Sequence, residues 1–238
     1  MARYLSVAQL SAIADRVLRA YKKLPEVNEG PLLFVDPTLL LETLLGLSIE
    51  YHTLSRTGII LGMTAFTDIG VSVLDADLDL FFFNGKNVLI EADLLAENQT
   101  GRRNYTIAHE GCHHILKMLF PKDYAEELAA RYVYRYRETQ AHKSREEWQV
   151  DVLTSFLLMP KDLVIQAMDI VGLEDKIEQL NAKRRKPEYE AFCEMCSILG
   201  VSKQALSIRM KSLGLLGDDQ LSNPYEIMDI FMEEDEIV

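Results

Sequence analysis

The chain has 238 residues, 48% of them hydrophobic and 26% charged, a composition that excludes disorder throughout. Asp and Glu outnumber Lys and Arg by 37 to 25, a formal charge of −12. An acidic surface repels phosphate backbones, so direct nucleic-acid binding is disfavoured while a basic protein partner is not.

Residues 5–24 carry apolar residues at helical spacing, Leu5, Ala8, Ala12, Val17 and Leu18 among them, and predict an amphipathic helix. The charges in this segment break up the apolar run that a signal peptide needs, and no later stretch is apolar for long enough to span a bilayer. The cysteines, Cys112, Cys193 and Cys196, are too few and uneven for a disulfide framework. A reducing, cytoplasmic setting without a membrane is expected. After a connection over Pro25–Pro31, Asp36-Pro37-Thr38 predicts an N-cap with proline at the first helical position, opening a helix over Leu39–Leu45 that Gly46 stops.

A β-rich stretch follows, with apolar or β-branched runs at Ser48–Tyr51, Gly58–Phe66, Val71–Leu74 and Leu80–Phe83. Asn84-Gly85 lies between Phe81–Phe83 and Val88–Ile90 and predicts a type I′ hairpin. From Asn104 the period is helical, giving helices over 104–119, 123–141, 144–158 and 161–168, with Met159-Pro160 closing the third. Lys183–Pro187 reads as a basic, exposed linker and 188–216 as a small helical unit. From Gly217 the chain is acidic, and Ile227, Ile230 and Phe231 can form one docking helix. Strands followed by helices make the fold class α+β.

His109-Glu110-Gly111-Cys112-His113 has the form HExxH on a predicted helix. Residues four apart share a helix face, so both imidazoles can reach one metal ion, and Glu110 can approach a water on that ion as its base. One Zn²⁺ is the expected cofactor; histidine and carboxylate donors leave manganese open. Catalytic zinc takes three protein ligands. Glu147 and Asp151, four apart on a later helix, can supply the third ligand and a hydrogen bond that fixes a ligand histidine. Trp148, Val150 and Leu153 suggest that this helix is packed. Glu146, about 100° round the helix, and His142 are the competing ligands. His114 points off the metal face and His52 reads as structural. Cys112 packs, with metal ligation or oxidation as its alternative. Tyr105, Tyr132, Tyr134 and Tyr136 are oxyanion candidates by type alone.

In these motifs the chain resembles the ImmA/IrrE metallo-endopeptidases of bacteria and their mobile elements. The resemblance rests on Arg102–Glu110, on Glu147-Trp148-Gln149-Val150-Asp151 with valine where the family has alanine, and on Leu157-Leu158-Met159-Pro160. Asp36-Pro37 and Ile60–Met63 are also family-like, and the match spans 30–216. It implies a zincin-like domain over 1–168, a small sheet packed with the HExxH helix bundle. A helix-turn-helix-like domain over 169–216 and an acidic tail over 217–238 complete the expected order. It implies that His109, His113 and Glu147 hold zinc, that Glu110 is catalytic, and that the substrate is a helix-turn-helix repressor whose site-specific cleavage relieves repression in a stress response or mobile-element control.

Leu199–Leu206 resembles the turn of a helix-turn-helix, but Glu188, Glu190 and Glu194 balance Lys203, Arg209 and Lys211. A helical unit that packs or grips substrate is therefore favoured over a DNA reader, for which salt-sensitive binding through Lys203 and Arg209 would be the sign. Cys193 and Cys196, without a second pair, read as core thiols. The rival to an enzyme is a regulatory binding protein on a retained zincin scaffold, acting through a protein partner or DNA. Oligomeric state has no signal in the sequence.

Overall fold

The computed structural model describes residues 4–28, 30–75, 79–125, 133–137, 145–174, 176–183 and 185–221. The chain is a mixed α+β protein that divides into two compact units, Met1–Leu158 and Met159–Val238. Among the described residues no helix is long and apolar enough to cross a membrane.

The first unit begins with helix α1, Val7–Tyr21. Ser6 caps it, accepting from the Gln9 amide while Gln9 reaches back to the Ser6 N–H. Its buried face is Leu10, Ala14, Leu18 and Tyr21. The predicted Ala8 and Ala12 lie on the exposed side of the helix. Asp36 caps α2, Pro37–Leu39, as expected, and the chain continues as a π-type turn over Leu40–Leu44.

Strands β1 (Ser48–His52), β2 (Ile60–Ala65), β3 (Asp68–Val73), β4 (Asp79–Asn84) and β5 (Asn87–Glu91) follow. The main sheet has the order β1-β5-β2-β6, where β6 is Val133–Arg137. β1 runs parallel to β5; β2 is antiparallel to both β5 and β6. β3 and β4 form a separate antiparallel pair. The hairpin predicted across Asn84-Gly85 is therefore not one: β4 pairs with β3, and β5 crosses into the main sheet. Type I′ needs positive φ at both central residues, and only Gly85 has it. β5 is buried at every position, which suits a central strand. The core beneath these strands joins Leu54, Met63, Ala65, Val71, Val73, Phe83 and Leu89.

Helix α3, Thr100–Leu119, is buried without a break from Thr106 to Leu116 and packs on β2 and β5. A short α4, Pro121–Ala125, comes next. The helix predicted over 123–141 gives way to β6: in Val133-Tyr134-Arg135-Tyr136-Arg137 the last four residues alternate tyrosine with arginine behind a β-branched residue, a strand pattern. His142 and Tyr132 lie outside the described residues. Helix α5, Arg145–Leu158, packs against α1 and α3. Val150 and Leu153 are fully buried; Trp148 is exposed.

In the second unit, α6 (Lys161–Ile170), β7 (Ile177–Leu180), α7 (Lys186–Ile198), α8 (Lys203–Ser212) and β8 (Leu216–Asp219) follow in order. β7 and β8 pair in parallel, a small sheet that the all-helical expectation lacks; each strand has only four residues, too few for periodicity to register. Lys186-Pro187 opens α7 instead of ending a linker. Ser202 caps α8. Arg209, one of the two residues on which a DNA reader would depend, is buried and donates from Nε to the Met159 carbonyl at 2.8 Å. Lys203 is bonded to the Tyr189 hydroxyl at 2.9 Å. Cys196 is buried and Cys193 half-buried, both as free thiols. Residues 222–238, with Ile227, Ile230 and Phe231, lie outside the described residues.

Candidate metal centre

His109, Glu110 and His113 come from the buried middle of α3, and Glu147 and Asp151 from the facing α5. The i, i+4 spacing places both imidazoles toward α5, with ring centroids 5.1 Å apart. Glu147 stands between them: its Oε2 lies 3.2 Å from His109 Nε2 and its Oε1 3.7 Å from His113 Nε2. Donor atoms of His109, His113 and Glu147 all fall within 4.8 Å of one another, a group that can hold a metal ion.

The donor set fits zinc. Tetrahedral ligands at about 2 Å from one ion stand roughly 3.3 Å apart, close to the separations just given. The surroundings also suit a cation. Burial works against a charge on His109, but hydrogen bonds to Asp151 and Glu147 outweigh it and carry the imidazole up to about 9. Burial pushes Glu147 up as well, yet its bond to His109 holds it below the usual carboxylate range. Two carboxylates thus flank the His109 imidazole, one at each nitrogen. His113 is pushed by burial down to about 3, a neutral ring with a lone pair to give.

Asp151 takes the expected place: its Oδ1 lies 3.2 Å from His109 Nδ1. Fixing the proton on Nδ1 leaves Nε2 as the donor atom. Glu146, the rival ligand, is not in the metal group; its Oε1 lies 3.9 Å from His113 Nδ1, on the far side of that ring.

Glu110 is fully buried, and among the described residues its two carboxylate oxygens accept no hydrogen bond. Burial raises it to about 8. It fits there because β2 passes with a glycine: a Cβ on Gly62 would lie 2.6 Å from Glu110 Oε1 and 2.7 Å from Thr106 Cγ2. Gly111, inside the motif, is needed likewise, since a Cβ would meet Leu41 Cδ1 at 2.5 Å.

Neighbouring side chains fix α3 in place. His114 is turned to the sheet, where Nε2 lies 2.6 Å from Thr64 Oγ1, whose own proton goes to the Asn87 carbonyl at 3.2 Å. Burial brings this histidine down to about 4. Cys112 is buried near Thr154 and its thiol is pushed up to about 12 by burial; it is not one of the metal donors. His52 pairs through Nδ1 with Asp75 at 2.7 Å, away from the centre. Tyr105, a candidate for the oxyanion, instead donates from its hydroxyl to Asp151 Oδ1 at 3.3 Å. Spacing could have placed Tyr105 one turn before His109, but its partner lies on a helix that only the tertiary fold brings near. Tyr134 and Tyr136 lie in β6, in register with Thr64 and Gly62.

No family model matches the chain, and no curated protein matches it.

Proposed function

We propose that the chain is a zinc-dependent endopeptidase with a zincin-like first unit, in keeping with its resemblance to the ImmA/IrrE metallo-endopeptidases. The carrying observation is the meeting of His109, His113 and Glu147 within 4.8 Å, with the buried Glu110 carried on the same helix.

A zinc ion held there would supply a Lewis acid, making a water more acidic and polarising a peptide carbonyl. The chain's own groups do the rest. Glu110 takes the proton of the attacking water and returns it to the departing amine. A buried carboxylate carried on the same helix as the two imidazoles is placed for that exchange. Asp151 holds the Nδ1 proton of His109, and the Tyr105 hydroxyl steadies Asp151.

The substrate proposed is a helix-turn-helix repressor, cut at one site to relieve repression. The test is incubation of the full chain and zinc with the repressor encoded beside its gene, in parallel with Glu110→Gln. Cleavage by the wild type, slowed about 10²–10⁴-fold in the variant, is expected. Absence of cleavage in both, or equal cleavage by both, sinks the reading. The first result would favour a regulatory protein on a retained scaffold.

A further inference from the structure

Each of the two histidines presents two nitrogens, and each nitrogen faces a carboxylate. On both, Nε2 faces Glu147. On His109, Nδ1 faces a second carboxylate, Asp151, at 3.2 Å. On His113, Nδ1 also faces a second carboxylate: Glu146 Oε1, at 3.9 Å. Glu146 and Glu147 are consecutive on α5, so their side chains leave the helix about 100° apart. That offset sends one to each edge of the His113 ring.

Glu146 is no incidental surface acid. Its side chain is 9% exposed and faces a ring that is 1% exposed. Removing a carboxylate from water costs several kcal/mol before compensation. Two features offset that cost: the first turn of α5, where both glutamates lie and the helix dipole favours negative charge, and the His113 ring opposite. The separation is within ion-pair range and longer than a direct hydrogen bond, so the carboxylate acts through its field on the Nδ1–H.

We propose that Glu146 is the positioning residue of His113, as Asp151 is of His109: it keeps the proton on Nδ1 and the Nε2 lone pair directed at the metal position. This rests on the metal-centre reading given above. It turns Glu146 from a competitor of Glu147 into its complement, and gives every imidazole of the site its own carboxylate. Carboxylate–histidine pairing of this kind orients a ligand ring and raises its basicity.

The test measures zinc affinity of the full chain by competition with a chromogenic chelator. The wild type is compared with Glu146→Gln, Glu146→Ala and Glu147→Ala, and circular dichroism confirms that each metal-free variant is folded. One zinc per chain in the wild type, lost in Glu147→Ala, is the reading's own control. Glu146→Ala is expected to bind one zinc about 10–100-fold more weakly. Glu146→Gln, which keeps the size of the side chain but not its charge, is expected to show most of that loss, because at 3.9 Å the carboxylate acts through its field. The cobalt-substituted forms of both variants should keep the wild-type ligand-field spectrum, because no ligand is exchanged. Unchanged affinity in Glu146→Ala overturns the proposal. So does loss as complete as in Glu147→Ala, which would make Glu146 a ligand. A wild type that binds no zinc removes the metal-centre reading itself, a result distinct from the other two.

Discussion

Glu91 and Glu110 are both buried carboxyls raised mainly by loss of water, and Glu91 permits a test free of metal. It ends β5 and accepts from the Leu54 amide at 3.0 Å. Because its folded value is raised, the stability linked to its protonated form is fully present below the unfolded value and is lost as pH rises through the folded one. Glu91→Gln imitates the protonated form. The variant should melt with the wild type near pH 4 and above it at pH 7, a difference that paired thermal melts across that interval would read. Tyr105→Phe removes only the hydroxyl on Asp151. It should weaken zinc binding several-fold, less than the roughly 10–100-fold that loss of the Asp151 carboxylate itself would cause, in the same chelator competition. At this scale His109 and His113 were legible in the sequence because helical spacing alone puts them on one face, and Glu110 because it directly follows the first of them. Glu147 needed a family resemblance to be chosen over Glu146. That both glutamates serve one ring, on opposite edges, depends on how α5 approaches α3, which no local pattern encodes.

Among the elements, the long helices followed from periodicity, and the errors lie where strands are short or are claimed by distant partners. Asn84-Gly85 carried a true turn signal, yet β5 is taken up by β1 and β2, whose positions in the chain are remote from that turn. β6 was misread because its neighbourhood was helical, although Tyr134–Arg137 alternates as a strand does. β2, the strand that touches Glu110, is bonded on both sides, so a peptide cannot add to it directly. Gly62 sets the closeness of sheet and helix. A Gly62→Ala methyl would collide with Glu110 and with the stiff Thr106 side chain. It should cost about 1–3 kcal/mol, as overpacking does, visible as a lower melting temperature, and cleavage should fall further than stability explains because Glu110 must move.

For the molecule as a whole, all three proposed zinc donors lie in Met1–Leu158. Zinc at about one hundred times its Kd should add ~2.7 kcal/mol to that unit. Hydrogen exchange followed by mass spectrometry should find the slowing in α3 and α5; no slowing there would contradict the assignment. The acidic balance legible in composition is matched by structure in the second unit, where Arg209 is buried and Lys203 is engaged with Tyr189. Burial of Arg209 could not be read from a charge count, since the Met159 carbonyl that it serves lies 50 residues earlier.

The residues that meet across α3 and α5 are far apart in the chain; Tyr105 and Asp151, for instance, are separated by 46 positions. An ion shared by the two helices would close that stretch into a ring, as a covalent crosslink does. Cutting the backbone between α4 and β6 would then leave two fragments that migrate as one while metal is present and part when a chelator removes it. The centre would be a clasp as well as a place for chemistry, and the availability of metal would govern how long a nicked chain survives.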